Sequence, residues 1–172
     1  MNHFPPPVGT ADHVQGAADA PVTLLEYGDF ECPYCGAMHE VVKAVQRVMG
    51  PQLRFVYRHF PLVDIHAHAL HAAEFAEAAA RYNKFWEAHD MLFENQRALS
   101  DDALSQYWAK LRLPAGDLVA ALKGDDEHIQ RDFAGGLRCG IQGTPTLFIN
   151  GHAYAGAHDV ESLRTALSAA SG

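Results

Sequence analysis

The sequence predicts an α/β fold: a small central mixed sheet flanked by helices, with an all-helical segment inserted between its strands. Three observations predict it. Two β-prone runs, "PVTLLEYGDF" (21–30) and "LRFVYRHF" (53–60), bracket one stretch of helical periodicity and read as a βαβ unit. From Asp64 to about Cys139 the apolar spacing is helical throughout. A hairpin pattern, "TPTLFINGHAYAG" (144–156), and one more helix then follow. Two packed layers around a small mixed sheet accommodate this order.

The elements are justified in turn. Residues 1–20 are rich in Pro, Gly, Ala and Asp and read as an irregular lead-in. The run 21–30 starts after Pro21, has an apolar core run and reads as a buried strand. Met38, Val41, Val42, Val45, Val48 and Met49 then recur at helical intervals, and Gly50-Pro51 ends that helix. Pro33 stands where a first-turn proline is tolerated, so Cys32 is expected at the helix N-terminus and Cys35 one turn in. In the helical block, Ala-rich 67–81 comes first. A stripe of Phe85, Trp86, His89, Leu92 and Phe93 follows, then Leu104, Tyr107, Trp108 and Leu111 with Ser100 or Asp101 as a cap. Leu118, Val119 and Leu122, then Ile129, Phe133 and Leu137, complete it, punctuated by Pro114, Gly116 and Gly124. Asn150-Gly151 supplies the two positive-φ positions of a type I′ turn. The last helix carries Val160, Leu163, Leu167 and Ala170 on one face behind Asp159 as its cap.

Composition narrows the function classes. Of 172 residues, 48% are hydrophobic and 20% charged, an ordinary globular balance. The net charge of −8 and the absence of any basic run argue against a general nucleic-acid or anionic-membrane binder. No stretch approaches the roughly 18 apolar residues of a membrane span. The start "MNHFPPPVGTADH" has neither a basic n-region nor an apolar h-region. A cytoplasmic address is therefore expected, or an extracytoplasmic one if a leader was trimmed.

The three cysteines, Cys32, Cys35 and Cys139, are too few for a disulfide-stapled scaffold, so chemistry is the better explanation. Cys32-Pro33-Tyr34-Cys35 beside a βαβ pattern reads as a thioredoxin-like redox motif. The partial positive charge of a helix N-terminus favours a thiolate on Cys32, and the thiolate is the form that attacks a disulfide. A partly buried terminus contributes up to about 2 kcal/mol. Asp29 and Glu31, taken as exposed and screened carboxylates, offset only part of that. A Cys32 pKa below that of a free thiol, short of the lowest values known, is the expectation. Two other readings stand beside this one. Half a zinc site needs two more ligands, for which Cys139 and "HAHALH" (His66, His68, His71) are the candidates. A purely structural disulfide over so short a loop gains little.

"LLEYGDFECPYC", "RHFPL", "KFWEAHDMLF" and "GTPTLFING", in this order and spacing, resemble the DsbA-like thiol-disulfide oxidoreductases. The resemblance runs from about residue 12 to 168 and is strongest to thioredoxin-fold domains found alone or fused to transporters. It implies a thioredoxin-like domain over 21–62 and 140–172, interrupted by an inserted helical domain over 63–139. It also implies that Cys32 is the exposed nucleophile, Cys35 the buried resolving thiol, and Pro33-Tyr34 the dipeptide that tunes the potential. Here the sequence departs from the Pro-His of strongly oxidising DsbA, which speaks against extreme oxidising power. Glu26 falls where the family places a buried proton-relaying acid; otherwise it is a solvated carboxylate at a strand edge. Gly143, Thr144 and Pro145 match the family's substrate-binding loop before a cis-proline, where residues alone suggest only a trans proline opening a strand.

Outside these motifs, Cys139 reads as a small buried hydrophobe, with a third redox thiol as the sharper alternative. Arg58, His59 and Phe60 are expected near the substrate groove, His59 in a structural role, and Phe85, Trp86 and Phe93 in the helical core. The expected function is disulfide exchange with protein or peptide thiols through a Cys32–Cys35 mixed-disulfide mechanism, served by an unidentified recycling partner. No metal or organic cofactor is expected. The alternatives are a non-enzymatic metal- or peptide-binding module on the same fold and a glutathione-linked member of the wider superfamily.

Overall fold

A computed structural model describes residues 4–123 and 126–172 of the chain; Gly124, read as a helix breaker, lies outside them. One mixed sheet holds β1 (His13–Gln15), β2 (Val22–Gly28), β3 (Leu53–His59), β4 (Thr146–Ile149) and β5 (His152–Ala153), in the order β1-β3-β2-β4-β5. β2 and β3 are parallel, and α1 (Pro33–Met49) makes the crossover between them. β4 joins β2 antiparallel, setting Glu26 opposite Leu147. Between β3 and β4 run α2 (Ala69–Ala80), α3 (Phe85–Glu94), α4 (Asp101–Lys110), α5 (Asp117–Ala121) and α6 (Glu127–Arg138). α7 (Val160–Ala170) packs against α1 and β2. The fold is thioredoxin-like, with a five-stranded sheet and helices around it.

Local chemistry sets the element ends. Gly50 leaves α1 with φ 52°, a conformation glycine adopts at least cost. Asn150 and Gly151, at φ 48° and 85°, turn the β4–β5 hairpin. Ser100, rather than Asp101, caps α4, and Asp159 caps α7 by accepting from Ser162 N at 2.8 Å.

The pleat divides the core. Leu24 faces a large apolar cluster that continues through Phe55, Met38 and Val42 into Phe75, Leu92, Leu104 and Trp108 of the helical block. Leu25, one residue on, faces a smaller cluster with Val56, Phe60, Ile141 and Phe148. Both faces of β2 are thus covered, which is why adjacent positions, Leu24 and Leu25, are both apolar rather than alternating with polar residues. The sheet and the helices between β3 and β4 share one core.

Three apolar positions depart from the expected stripes. Val48, Val119 and Leu137 are exposed. The buried face of α1 is the narrower set Met38, Val42, Val45 and Met49, and α5 is too short to bury more than Leu118. α6 turns Gly135 and Gly136 inward instead of Leu137; a Cβ on Gly136 would lie 2.7 Å from the Phe60 ring. The lead-in also holds β1, which pairs antiparallel with Phe55–Tyr57 of β3. Three residues carry no periodic signal, and the partner strand lies some forty residues on.

Candidate active site

The candidate site is built where β2 ends and α1 begins. Asp29 O accepts from Cys32 N at 3.2 Å, and Gly36 N donates to Cys32 O at 3.1 Å, closing the first turn with Pro33 at its start. This makes Cys32 the N-cap of α1 and sends Cys35 into the core, where it is fully buried. Cys32, Cys35 and Cys139 are free thiols. Tyr34 stands out into solvent, 73% exposed.

Cys32 is not the exposed nucleophile the resemblance implies: it is only 3% exposed. Two distant segments cover it. The Thr144–Pro145 peptide bond is cis, and Thr144 O accepts from Cys32 Sγ at 3.3 Å. Gly143 braces that loop by accepting from Thr146 Oγ1 at 2.7 Å. From the helical block, Gln96 Nε2 donates to both Phe30 O and Cys32 O at 2.8 Å. Gln96 fits there because residue 36 is glycine; a Cβ would lie 2.1 Å from Gln96 Oε1. Nothing in the sequence marks Gln96, since its partners lie more than sixty residues away.

The electrostatics of the pair are asymmetric. Cys32 is pulled down to about 5, chiefly by the hydrogen bond from the Cys35 thiol, against burial, with help from Thr144 and the N–H groups of Cys35 and Tyr34. The helix start contributes as expected, but the partner thiol contributes more. Cys35 is pushed up, first by burial and then by its place beside Cys32 and Glu26. Asp29 N donates to its sulfur at 3.5 Å.

Glu26 is 1% exposed, so the solvated-edge alternative does not hold. Burial, and secondarily the Cys32 charge, push it up to about 8. Among the described residues its Oε1 has no hydrogen-bond partner. Asp29, expected to be exposed, is 2% exposed. Its carboxylate accepts from Glu31 N, Leu62 N and His66 Nδ1, each at 2.8 Å, and so ties the start of the α1 loop to the chain after β3. Glu31 likewise accepts from His68 N at 2.6 Å. These acids are engaged as local struts.

Other expected residues lie elsewhere. Arg58, His59 and Phe60, expected near the groove, are all buried. Arg58 forks onto Asp12 at 2.8 and 3.0 Å, His59 bonds Glu77, and Phe60 stacks on Phe133. Consecutive residues of a strand point to opposite faces, and neither face here opens on solvent. Cys139 belongs to the smaller apolar cluster, donates to Phe4 O at 3.4 Å, and is raised by burial. Phe85 and Phe93 are core, with Trp86 packed against them. His66 pairs with Asp29 and His71 with Asp101, and among the described residues no group of metal-ligating side chains joins "HAHALH" to the thiols.

With this geometry in view, the comparisons with known proteins are direct. The Thioredoxin family model matches residues 9–169. Among curated relatives, "Na(+)/H(+) antiporter NhaA 1" of Salinispora arenicola is 40% identical over 162 residues, covering 92% of this chain and 24% of that protein. "Na(+)/H(+) antiporter NhaA" of Herminiimonas arsenicoxydans is 36% identical over 167 residues, covering 96% and 26%. The chain spans about a quarter of the length of these relatives. Among the described residues, no helix is long and apolar enough to cross a membrane. Solved structures with the same fold include oxidised BdbD from Bacillus subtilis, with TM-score 0.85, 20% identity and coverage of 98% of this chain and 97% of that one. α-DsbA1 of Wolbachia pipientis follows at TM-score 0.81, 20% identity, 96% and 93%. The chain belongs to the thioredoxin family and carries the DsbA-like form of its fold.

Proposed function

We propose that this chain is a thiol-disulfide oxidoreductase acting on protein or peptide substrates through Cys32 and Cys35. The observation that carries the reading is the asymmetry of the pair. One thiol is an anion at neutral pH and the other is held as a thiol in the core. Cys32 attacks one sulfur of a substrate disulfide, forming a mixed disulfide and releasing the other sulfur as a thiolate that takes a proton from solvent. Cys35 then gives up its proton and attacks Cys32 Sγ. The Cys32–Cys35 disulfide forms and the second substrate sulfur leaves. Two electrons pass to the substrate, and the reverse sequence oxidises it. Glu26, buried beside the pair with its pKa pushed up to about 8, is the base for the Cys35 proton. The Gly143–Thr144–Pro145 loop offers backbone groups to an extended substrate strand. In the longer curated relatives such a module forms one part of the protein.

The test is equilibration with glutathione buffers, read as an alkylation mass shift. A reversible two-electron transition is expected, abolished in Cys32→Ser, with a trapped mixed disulfide in Cys35→Ser. The absence of any such transition would end the reading. The potential obtained decides direction: well above the cytosolic glutathione poise means a disulfide donor, near thioredoxin's a reductase.

A further inference from the structure

Three segments far apart in sequence bring imidazoles and carboxylates together around Glu77. Glu77 Oε1 accepts from His13 Nε2 of β1 at 2.6 Å and from His59 Nε2 of β3 at 2.7 Å. Glu77 Oε2 faces His128 Nδ1 of α6 at 3.3 Å, and His128 Nε2 faces Asp132 Oδ2 at 3.4 Å. His13 lies flat between the rings of Phe85 and His128, with centroids 3.4 and 4.6 Å away, so its plane is fixed.

We propose that His13, Glu77 and His128 form a binding site for a divalent transition-metal ion of the zinc class. One ligand atom from each lies within 4.8 Å of the others. Ligands at about 2.0–2.2 Å around a tetrahedral ion sit somewhat closer together than that, so small side-chain rotations close the set. Two imidazoles and one carboxylate suit zinc and its neighbours, not the all-oxygen preference of calcium or magnesium. Three protein ligands leave a fourth position for water.

The surroundings are those of a supported site. His59 holds Glu77 from behind, and Asp132 lies against the ring nitrogen of His128 that would not bind the ion. Asp132 is itself fixed by His59 N at 3.1 Å. His13 and His128 keep 14% and 18% of their side-chain surface exposed, which gives an ion a way in. The other cluster of this kind, His39, His89 and Asp90, is less apt: both histidines are buried and Asp90 is already paired with Lys43. An ion at Glu77 would bind β1, α2 and α6 together, and it owes nothing to the thiol pair.

The experiment is titration of the full chain with Zn²⁺ and Co²⁺ in a Cys32→Ala/Cys35→Ala/Cys139→Ala background, so that thiols contribute nothing. The expected result is one equivalent bound, with Co²⁺ showing visible d–d absorption and no thiolate charge-transfer band. Affinity should be lost in His128→Ala and reduced about 10–100-fold in Asp132→Asn. Far-UV circular dichroism confirms that each variant is folded. Two results would overturn the proposal: no stoichiometric binding in the folded thiol-free background, or binding there that is unchanged by His13→Ala/His128→Ala.

Discussion

Glu26 and Glu77 are both buried glutamates, yet their pKa values move in opposite directions. Among the described residues Glu26 has no partner on Oε1, and burial, then the nearby Cys32 thiolate, push it up to about 8. Glu77 is shifted well below its ordinary value by hydrogen bonds from His13 and His59, which overcome burial. Burial alone neutralises a carboxylate; burial with N–H donors ionises it. The first arrangement makes a proton acceptor near neutral pH. The second makes a permanent anion that organises imidazoles around itself.

The largest expected effect comes from breaking the second arrangement. Glu77→Ala leaves His13 and His59 without their acceptor and should destabilise the chain by about 3 kcal/mol in urea denaturation with chelator present. Glu77 is depressed in the folded state, so its contribution is present above pH about 4.5 and fades as pH falls below that. The gap between variant and wild type should therefore narrow in acid. A gap that stays constant would mean the carboxylate charge is not what matters.

Glu26 should behave in the opposite sense. Its folded pKa lies above the unfolded value, so it costs nothing below about 4.5 and destabilises increasingly up to about 8. Glu26→Leu should raise stability by about 2 kcal/mol at pH 8, where the carboxylate is forced to ionise, and leave it nearly unchanged at pH 5. The same variant should slow release of the mixed disulfide, measured by stopped-flow, by roughly 100-fold. Gain of stability with undiminished release would remove Glu26 from the proton path.

Because the Cys35 thiol is the largest influence lowering Cys32, replacing it with alanine should move the alkylation midpoint of Cys32 upward from about 5 by about one pH unit. An unmoved midpoint would assign the effect to the helix start instead. The smallest effect concerns a neutral contact. Gln96→Ala removes two hydrogen bonds to the active-site loop and should cost about 1 kcal/mol, while the Cys32 midpoint stays in place.

What was legible in the sequence was local. The Cys-Pro-Tyr-Cys turn, the helix it opens, the parallel pair around it and the Asn-Gly hairpin all declare themselves within a few residues. What was not legible depends on contacts across the chain. The cover over Cys32 comes from Thr144 and Gln96. Asp29 looked exposed because two of its three donors, Leu62 N and His66 Nδ1, lie more than thirty residues further along the chain. β1 is a strand only because β3 accepts it, and without β1 the histidines around Glu77 have no visible relation. Glu26 was the intermediate case: a charge inside an apolar run is a local oddity, but only the sheet shows both of its faces covered.

The low pKa of Cys32 also sets how the pair exchanges protons with water. An ordinary dithiol takes up two protons when its disulfide is reduced, and its midpoint potential falls by about 59 mV per pH unit. Here the reduced pair keeps Cys32 as an anion and Cys35 as a thiol above about pH 5, so it takes up only one. The slope should halve to about 30 mV per unit across neutrality and steepen again in acid. A compartment that acidifies would therefore shift this couple less than glutathione, and the direction of exchange between the two would follow local pH as well as local redox supply.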